Sequence, residues 1–572
     1  MFEQWKVKQK IDIPDVLRKG TVGVITTILS GIVFGKENMM IAFVMVLGAN
    51  IYEKENLKIK TWHKIFHLML RDLLIVLVAF LASQNVWWGI PINLLAIFVI
   101  IFTLLSLYDQ ISYKTFMMLY VFSQYSAISI SELPKRLILV VFVLSCILAS
   151  SLLQQSRNKA VLNESFTIAW SVIREQLHLI FEGEYDPQRM SECKQCLDRI
   201  VHDIYQTGYK RSFTTHQGKL QFYFYMNFSY LFRKIKVIQV AILAGSMKKE
   251  ELTPLLRIAD GMDDFFHRKI TREEVTLQLE QAWKNTSAAN GSKELIGDMI
   301  FLFYKNFIEW EKLNYKEKDA PYMEWERANV TELFGKLKND FSMKSMRFNF
   351  ASRLAVILTI SLFLANELGF YKIIWAIIPI MSVTRPYYEE TMQRRKERFR
   401  SNILACIIVG VVLNVIHVEW ISLLFMVIGF YFVYAFKDYY RMSFFLTIIS
   451  MSLSSFSGGI NVLIAYRLLY LVVGLIIVGL GSRILPYKTE DGMRELVLKI
   501  QILRRRLEAE HQLSLEGKEN PHIIRETIIH SELLSQHAAV KNKIYQSKDI
   551  SEFLTANSNF VIELGHQLLR NE

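Results

Sequence analysis

The chain has 572 residues, of which 52% are hydrophobic and 21% charged, with 38 Phe, 25 Tyr and 10 Trp. A chain this apolar is not disordered, and one this aromatic is not a coiled coil. Its length is several times that of a typical domain, so we expect several parts. The composition is typical of a membrane protein.

Charge and cysteine usage exclude two further classes. The formal net charge is +13, but the excess lies mainly in two apolar regions, +5 for residues 1–153 and +6 for 348–487, which argues against nucleic-acid binding. The four cysteines are too few and too scattered to form a disulfide scaffold, so the parts outside the membrane should lie on the reducing side: Cys146, Cys193, Cys196 and Cys406.

Twelve apolar segments fall into two sets of six and predict an all-α polytopic protein. Several are shorter than the ~20 residues that a full crossing needs, yet soluble packing does not explain twelve runs in two clusters. The first set is 21–35, 39–52, 66–83, 90–107, 113–130 and 136–153. The second set is 354–370, 373–384, 402–417, 421–436, 442–457 and 466–485.

The loop charges predict an orientation with both termini in the cytoplasm. Lys and Arg near a span are retained on the cytoplasmic side, and one assignment places the three most basic loops there. Lys135 and Arg136 are an exception, because the same assignment places them on the outer side. No cleavable signal peptide is evident. The basic residues are Lys6, Lys8, Lys10, Arg18 and Lys19; Lys54, Lys58, Lys60 and Lys64; Arg394, Arg395, Lys396, Arg398 and Arg400.

The two sets resemble each other and predict a duplicated six-span unit in one orientation. An offset of 335 residues places Arg18 on Arg353 and Tyr52 on Tyr387, and an offset of 329 to 331 places Asp109 on Asp438 and Arg136 on Arg467. We therefore predict four domains: a first repeat at 1–153, a cytosolic helical domain at 154–347, a second repeat at 348–487 and a helical cytosolic tail at 488–572.

The polar segments read as helices with apolar residues three and four positions apart. Residues 220–244 are apolar enough for another span, but Arg233, Lys234 and Lys236 lie in its middle, so burial in a helix bundle is favoured. The expected helices are 159–182, 187–209, 220–244, 272–283, 294–313 and 495–508.

No motif predicts an enzyme or a cofactor. The chain lacks a phosphate-binding Gly-x-x-x-x-Gly-Lys-Ser/Thr loop, a His-Glu-x-x-His and a Gly-x-Ser-x-Gly. Cys193 and Cys196 could supply half of a zinc site with His202, but no second pair exists, so a reduced structural pair is favoured over a metal site.

Ionisable residues at the edges of apolar runs are the candidate binding residues. A cation in a membrane needs a partner, a water-filled cavity or a route to the interface. Arg18 and Arg353 begin the first span of each half, Arg136 and Arg467 the last, and each alternatively reaches the lipid headgroups. Arg467 faces the cation-poor side and is the preferred candidate.

The lengths of the apolar segments give a second indication of where a binding site lies. In each half the first two spans are about 12–17 residues long, and shortened segments at matching positions of two repeats indicate a midplane site. Pro379 interrupts one of them and precedes Arg385, Tyr387 and Tyr388, which could pair with a carboxylate and stack on an arene. The alternative is a rigid turn with an interfacial aromatic belt.

The layout resembles the fusaric acid resistance and aromatic acid exporter family. The resemblance rests on WAIIPIMSVTRPYYEET at 375–391, followed by the basic stretch 394–400, and on YRLLYLVVG at 466–474 leading to Pro486. The family usually has Gly-Thr where this chain has Ser401-Asn402. The resemblance implies a fold similar to plant aluminium-activated malate channels and a homodimer.

Together these features predict a secondary efflux transporter of organic anions, aromatic carboxylates above all, in the cell membrane. Arg467 and Arg385 would hold the carboxylate, and Tyr387, Tyr388 and Trp375 would stack on the ring. A passive anion channel is the first alternative, and a membrane-anchored interaction platform the second. The expected partners are a small organic anion, the lipid bilayer and a second copy, with an accessory envelope protein left open.

Overall fold

The computed structural model describes residues 13–35, 38–53, 61–105, 110–125, 128–157, 164–204, 216–286, 292–311, 338, 340–369, 373–416, 419–436, 438–455, 460–518 and 520–570. In these residues every regular element is a helix, which confirms the all-α prediction. Asp109 and most of the predicted cytoplasmic lysines lie outside the described residues, namely Lys6, Lys8, Lys10, Lys54, Lys58 and Lys60.

Helices follow one another along the chain with short connections. Those of the first apolar region are α1 (Ile13–Phe34), α2 (Met39–Leu47), α3 (Ala49–Glu53), α4 (Thr61–Ser83), α5 (Val86–Leu104), α6 (Lys114–Tyr125) and α7 (Leu133–Arg157). Those of the polar segment are α8 (Glu164–Glu182), α9 (Pro187–Ile204), α10 (His216–Leu243), α11 (Thr253–Phe266), α12 (Arg272–Thr286) and α13 (Ser292–Glu311).

The remaining helices cover the second apolar region and the tail. They are α14 (Met346–Leu368), α15 (Ile374–Val383), α16 (Tyr388–Val415), α17 (Glu419–Ala435), α18 (Tyr439–Ser455), α19 (Ile460–Ile484), α20 (Thr489–Leu515), α21 (Pro521–Tyr545) and α22 (Lys548–Arg570). Each of the twelve predicted apolar segments contains a helix, and the second is divided between α2 and α3 at Gly48.

Seven of the described helices are long and apolar enough to cross a membrane, so the protein is a multi-pass membrane protein. Shorter apolar helices occur at Ile374–Val383 and Trp420–Ala435. The candidate spans are Ile13–Phe34, Trp62–Ser83, Val86–Leu104, Ile130–Gln154, Met346–Leu368, Tyr388–Val415 and Asn461–Ile484.

The prediction of two short helices at the start of each half is wrong for the first of them. Helix α1 has 22 residues and α14 has 23, because both continue through polar residues that sequence hydropathy had cut off. The second helix is short in each half, with 9 residues in α2 and 10 in α15. Most side chains of α2 and α15 are buried, so protein rather than lipid surrounds these short helices.

The chain divides into two compact units. The first contains Met1–Arg157 and Gly335–Glu495, and the second contains Asn158–Phe334 and Leu496–Glu572. The two apolar regions therefore belong to one unit. Most of the tail, which the sequence analysis treats as a separate appendage, is grouped with the polar segment.

In the first unit, with α2 and α3 counted together as the second helix of their region, the first helix of each apolar region packs against the fourth helix of the other region. Helix α1 contacts α17, where the Thr21 and Tyr431 hydroxyl oxygens are 2.9 Å apart. Helix α14 contacts α5, where the rings of Trp87 and Phe363 lie 5.4 Å apart. Within each region the third helix contacts the fifth, as α4 with α6 and α16 with α18. Both short helices contact the last helix of their own region, α2 with α7 and α15 with α19.

The second unit is a helix bundle, and α10 belongs to it as predicted. This helix is not among the candidate spans of the described residues. Its Arg233 donates to the backbone oxygen of Ser558 at 3.1 Å, and Lys234 pairs with Glu563 at 2.6 Å, both on α22. These contacts pair two of the three cations that made a membrane position costly, and the third, Lys236, is exposed.

Helix α9 buries Cys193 and Cys196. Burial raises the pKa of the Cys193 thiol, which lies 3.7 Å from the backbone oxygen of Ala169. The described residues contain no group of three His, Cys, Asp or Glu side chains that could hold a metal ion.

Asp198, also on α9, gives a prediction on pH-dependent stability. Burial raises the pKa of this carboxyl to about 6 from 3.8, assisted by Glu532 and opposed by Lys194, Arg233 and Lys543. Between about pH 4 and pH 6 the Asp198 carboxyl is protonated in the folded protein but ionised in the unfolded chain. The free energy of unfolding therefore falls as the pH rises through this range, and the full loss is reached above pH 6. The Asp198→Asn variant should therefore be more stable than wild type at pH 7.5, by at most about 3 kcal/mol.

The gain should shrink to well below about 1 kcal/mol at pH 4, close to the unfolded pKa of 3.8, and vanish only at lower pH, where the carboxyl is protonated in both the folded and the unfolded chain. Local opening of α9 is measured by the labelling rate of Cys193 with 4,4′-dithiodipyridine, with variant and wild type compared at the same pH. A ratio of labelling rates that is the same at pH 4 and pH 7.5 contradicts the prediction.

Candidate functional site

Arg467 lies in α19 and is only 2% exposed. Its guanidinium carbon lies 5.4 Å from the centroid of the Trp375 ring on α15. The Nη1 atom is buried and has no hydrogen-bond partner among the described residues. A buried guanidinium without a carboxylate is costly, because desolvation is not offset by a counter-charge.

A close contact between α15 and α19 sets the position of Trp375 beside Arg467. Gly474 lies seven residues after Arg467 and thus on the same face of α19. A Cβ atom at Gly474 would lie 2.4 Å from the backbone oxygen of Ala376 and 3.2 Å from Cβ of Pro379. Only glycine lets the two backbones approach this closely. This contact gives a structural reason for the glycine at the end of the 466–474 stretch.

Arg398 supplies a second buried guanidinium, from α16. Its Nη1 donates to the Ser443 hydroxyl of α18 at 2.9 Å, and its Nε has no partner among the described residues. Arg398 lies within electrostatic range of Arg467, and so does the Cys406 thiol. Two guanidinium groups are therefore held near each other inside the protein.

Lys114 of α6 extends this positive region. Its Nζ donates to the backbone oxygen of Ser382 at 3.2 Å and lies within electrostatic range of Arg385, Arg394 and Arg398. Arg385 donates to the backbone oxygen of Gln110 at 3.4 Å. We call this set the cationic cluster: Lys114, Arg385, Arg394, Arg398 and Arg467.

The cluster is poor in counter-ions. Among the described residues, no carboxylate lies within ion-pair distance of Lys114, Arg385, Arg398 or Arg467. Arg394 lies 4.3 Å over the ring of Tyr439 and within electrostatic range of Glu390. The arrangement concentrates positive potential in a largely buried environment, where an anion would be held strongly.

Comparison with known families covers the second apolar region. Residues 358–480 match the model of the family described as fusaric acid resistance protein-like. This segment is similar to that family. The predicted resemblance is thereby confirmed over that segment. No curated protein and no solved structure matches the chain.

The fusaric acid resistance protein-like segment contains four members of the cationic cluster together with Trp375 and Gly474. Lys114 lies outside the match, in the first apolar region. Ser401 and Asn402, which replace Gly-Thr, are fully buried and form hydrogen bonds between α16 and α18. The Ser401 and Ser443 hydroxyl oxygens are 2.7 Å apart, and Thr447 donates to the Asn402 side chain at 3.0 Å. At Ser401 and Asn402, α16 therefore contacts α18 through polar side chains, at the position where a glycine would allow the two helices to pack closely.

Arg353 is a positioning residue. Its guanidinium donates to the backbone oxygens of Leu485 at 3.0 Å, Arg385 at 2.6 Å and Pro386 at 3.0 Å. These bonds hold the turn that carries Arg385 between α15 and α16. Nη1 and Nη2 of Arg353 are thus directed to protein carbonyls, whereas its buried Nε has no hydrogen-bond partner among the described residues.

Tyr387 and Tyr388 face the segment after α19. The buried Tyr387 ring lies 5.8 Å from the ring of Tyr487, and a Cβ atom at Gly492 would collide with it. The backbone N–H of the half-buried Tyr388 donates to the backbone oxygen of Tyr487 at 2.9 Å. The packing of the Tyr387 ring and the backbone bond of Tyr388 are compatible with the rigid turn that was the alternative interpretation.

Arg18 and Arg136 have protein partners of their own. Arg18 forms ion pairs with Asp15 at 2.6 Å and Glu53 at 2.7 Å. Arg136 donates to the backbone oxygen of Ser123 at 2.9 Å and to the Asn38 side chain at 3.3 Å. Arg136 also lines a cavity of about 270 Å³ with Lys135, Glu132 and Asn38.

Sequence analysis thus names two of the five cluster members as binding residues, Arg385 and Arg467. It assigns Arg394 and Arg398 only to topology, although their spacing of four residues places them on one face of a helix. Lys114 is missed because it is the first residue of the apolar helix α6, and the partners of its side chain, such as Ser382, come from the other apolar region.

Proposed function

We propose that the protein is a secondary transporter that exports organic anions. The observation that carries this proposal is Arg467, a buried guanidinium in the membrane-spanning unit that has no carboxylate partner in the part of the chain that the structure describes. A substrate carboxylate would supply the missing counter-charge, and such a site is free to bind and release it. The assignment of the 358–480 segment to a family named for resistance to an acid supports transport over catalysis.

The same geometry favours an aromatic carboxylate as the substrate class. Trp375, only 1% exposed, lies beside Arg467 and places a flat apolar ring next to the charge. An arene bound there would stack on the indole while its carboxylate meets the guanidinium. Arg385, Arg398 and Lys114 would line the route by which the anion reaches or leaves Arg467.

We also propose a homodimer in the cell membrane with cytoplasmic termini, and an origin by duplication of a six-helix unit. The matched helix contacts of α1 with α17 and of α14 with α5 support the duplication. The orientation rests on the positive charge of the loops. The dimer rests on the family resemblance.

The proposal is tested with a panel of labelled aromatic acids in cells with and without the protein. We expect lower steady-state accumulation of at least one acid in cells that contain the protein, and loss of the difference when an uncoupler is added. Equal accumulation of every acid in both cell types contradicts the proposal.

A passive anion channel with the same basic lining gives a different result. In a channel, flux would persist after the proton gradient is collapsed and would reverse with the anion gradient. Patch-clamp or vesicle flux at equal pH on both sides makes this distinction. An anion current that persists under these conditions favours the channel.

A further inference from the structure

Asp72 is a buried acid at the middle of a membrane-spanning helix. Helix α4 extends from residue 61 to residue 83, so Asp72 is equally far from both ends. Its side chain is 0% exposed. An ionised side chain at the centre of a bilayer is costly, and such residues default to a role in ion or proton movement.

The surroundings of Asp72 provide one hydroxyl and one weakly placed cation. The Tyr52 hydroxyl donates to Oδ2 at 2.7 Å. The neighbouring Arg71 has its Nε 3.4 Å from Oδ1, while its guanidinium carbon lies 3.8 Å over the Phe116 ring. Helices α5, α6 and α7 also pack against α4, and no other titratable side chain of the described residues interacts with Asp72.

Arg71 is not a full counter-ion for Asp72. Residues next to each other on a helix point in different directions, and an N–O distance of 3.4 Å is long for a charge-assisted hydrogen bond. The side chain of Arg71 is also 23% exposed and is engaged with an aromatic face. The carboxyl of Asp72 can therefore exist in both protonation states, with the Tyr52 hydroxyl as donor or acceptor.

Helix α6 connects this acid with the cationic cluster. Phe116 packs edge-on against Tyr52, with ring centroids 5.7 Å apart, and beneath Arg71. Two residues earlier, Lys114 belongs to the cationic cluster. A change of charge at Asp72 thus acts on the same helix, within one turn of a residue proposed to line the anion route.

We propose that Asp72 is the proton-binding site that couples proton movement to anion transport. The inference rests on the proposed function. The carboxylate takes up one proton from one aqueous side, forming an O–H bond, and releases that proton to the other side, and no electron or other group is transferred.

The test uses the purified full-length protein in lipid vesicles with labelled benzoate as the probe, corrected for leak in protein-free vesicles. One assay measures accumulation driven by a pH gradient, and the other measures exchange of labelled for unlabelled benzoate at equal pH. For Asp72→Asn we expect accumulation to fall at least tenfold, to the level seen after the gradient is collapsed, while exchange stays within about twofold of wild type.

The matched control is Asp438→Asn, because the carboxylate of Asp438 is 38% exposed and pairs with Arg441 at 3.6 Å. This variant should behave as wild type in both assays. Gradient-driven accumulation by Asp72→Asn at the wild-type level overturns the inference. Failure of the wild-type protein in both assays overturns the proposed function instead, and with it the inference.

A second variant decides the question if Asp72→Asn does not reconstitute. Tyr52→Phe removes the hydroxyl that donates to Asp72 and leaves the ring that packs on Phe116. The ionised carboxylate loses its donor, so the pH at which accumulation is half-maximal should move upward by about one unit. An unchanged pH profile overturns the inference.

Discussion

Replacing Arg467 by Gln should reduce anion export at least about 100-fold while the protein still inserts and folds. Removing one partner of a buried charge pair costs about 3–5 kcal/mol, and here the substrate carboxylate would be the partner left unpaired. Glutamine keeps hydrogen-bonding groups and much of the volume but has no charge. The measurement is efflux of a labelled aromatic acid from loaded vesicles.

The same substitution should not lower stability. In the structure Arg467 is buried without a counter-ion, so its removal relieves a desolvation cost, and the thermal unfolding midpoint should stay equal or rise. Activity and stability would then change in opposite directions, which a purely structural arginine would not do. This pair of measurements separates a binding role from a packing role.

Arg483→Gln is the matched control because Arg483 is on the same helix but exposed. It should leave both efflux and stability within error of wild type. Arg467→Lys retains charge but loses the planar fork of donors, so we expect intermediate efflux. Efflux by Arg467→Gln at the wild-type rate would refute the assignment of Arg467 to the site.

The sequence predicts single elements of this site better than its assembly. Hydropathy and charge are local properties of the sequence. The sequence alone therefore identifies the apolar segments, the charge of Arg467 within one of them and the aromatic residue Trp375. The approach of Trp375 to Arg467 depends on α15 packing against α19, about 90 residues away in the chain. No local pattern specifies that contact.

Equivalent positions in the two apolar regions show a second limit. Arg18 and Arg353 align in sequence and both stand near the start of the first helix. Arg18 is paired with Asp15 and Glu53, whereas Arg353 donates to three backbone oxygens. The same residue type at aligned positions therefore has different partners, because the neighbouring elements that supply these partners differ between the two apolar regions.

Asp72 illustrates how a signal can be present and still be overlooked. It is an acid inside an apolar run, which is the pattern that marks functional residues in membranes. Its neighbour Arg71 suggests a simple charge pair in sequence. The structure shows instead that Arg71 lies on Phe116 and that Tyr52 approaches Asp72.

Gly474→Ala should have the second large effect, through backbone packing rather than charge. The added Cβ would lie 2.4 Å from the backbone oxygen of Ala376, an atom that cannot move without moving α15. The two helices must separate, and overpacking of this kind costs about 1–3 kcal/mol. Because Trp375 precedes Ala376, the separation would also displace the indole from Arg467, so we expect both a lower unfolding midpoint and strongly reduced efflux.

Gly479→Ala provides the control on the same helix. A Cβ atom there would approach Nη1 of Arg395, the end of a flexible side chain that can rotate away. We therefore expect near wild-type efflux and stability for Gly479→Ala. If the two alanine variants behave alike, close packing at Gly474 does not position Trp375. A Gly474→Ala variant could lose efflux and keep its unfolding midpoint. In that case α15 adjusts locally while the rest of the fold is retained. The displacement of Trp375 from Arg467, rather than global destabilisation, would then be the cause of the lost efflux.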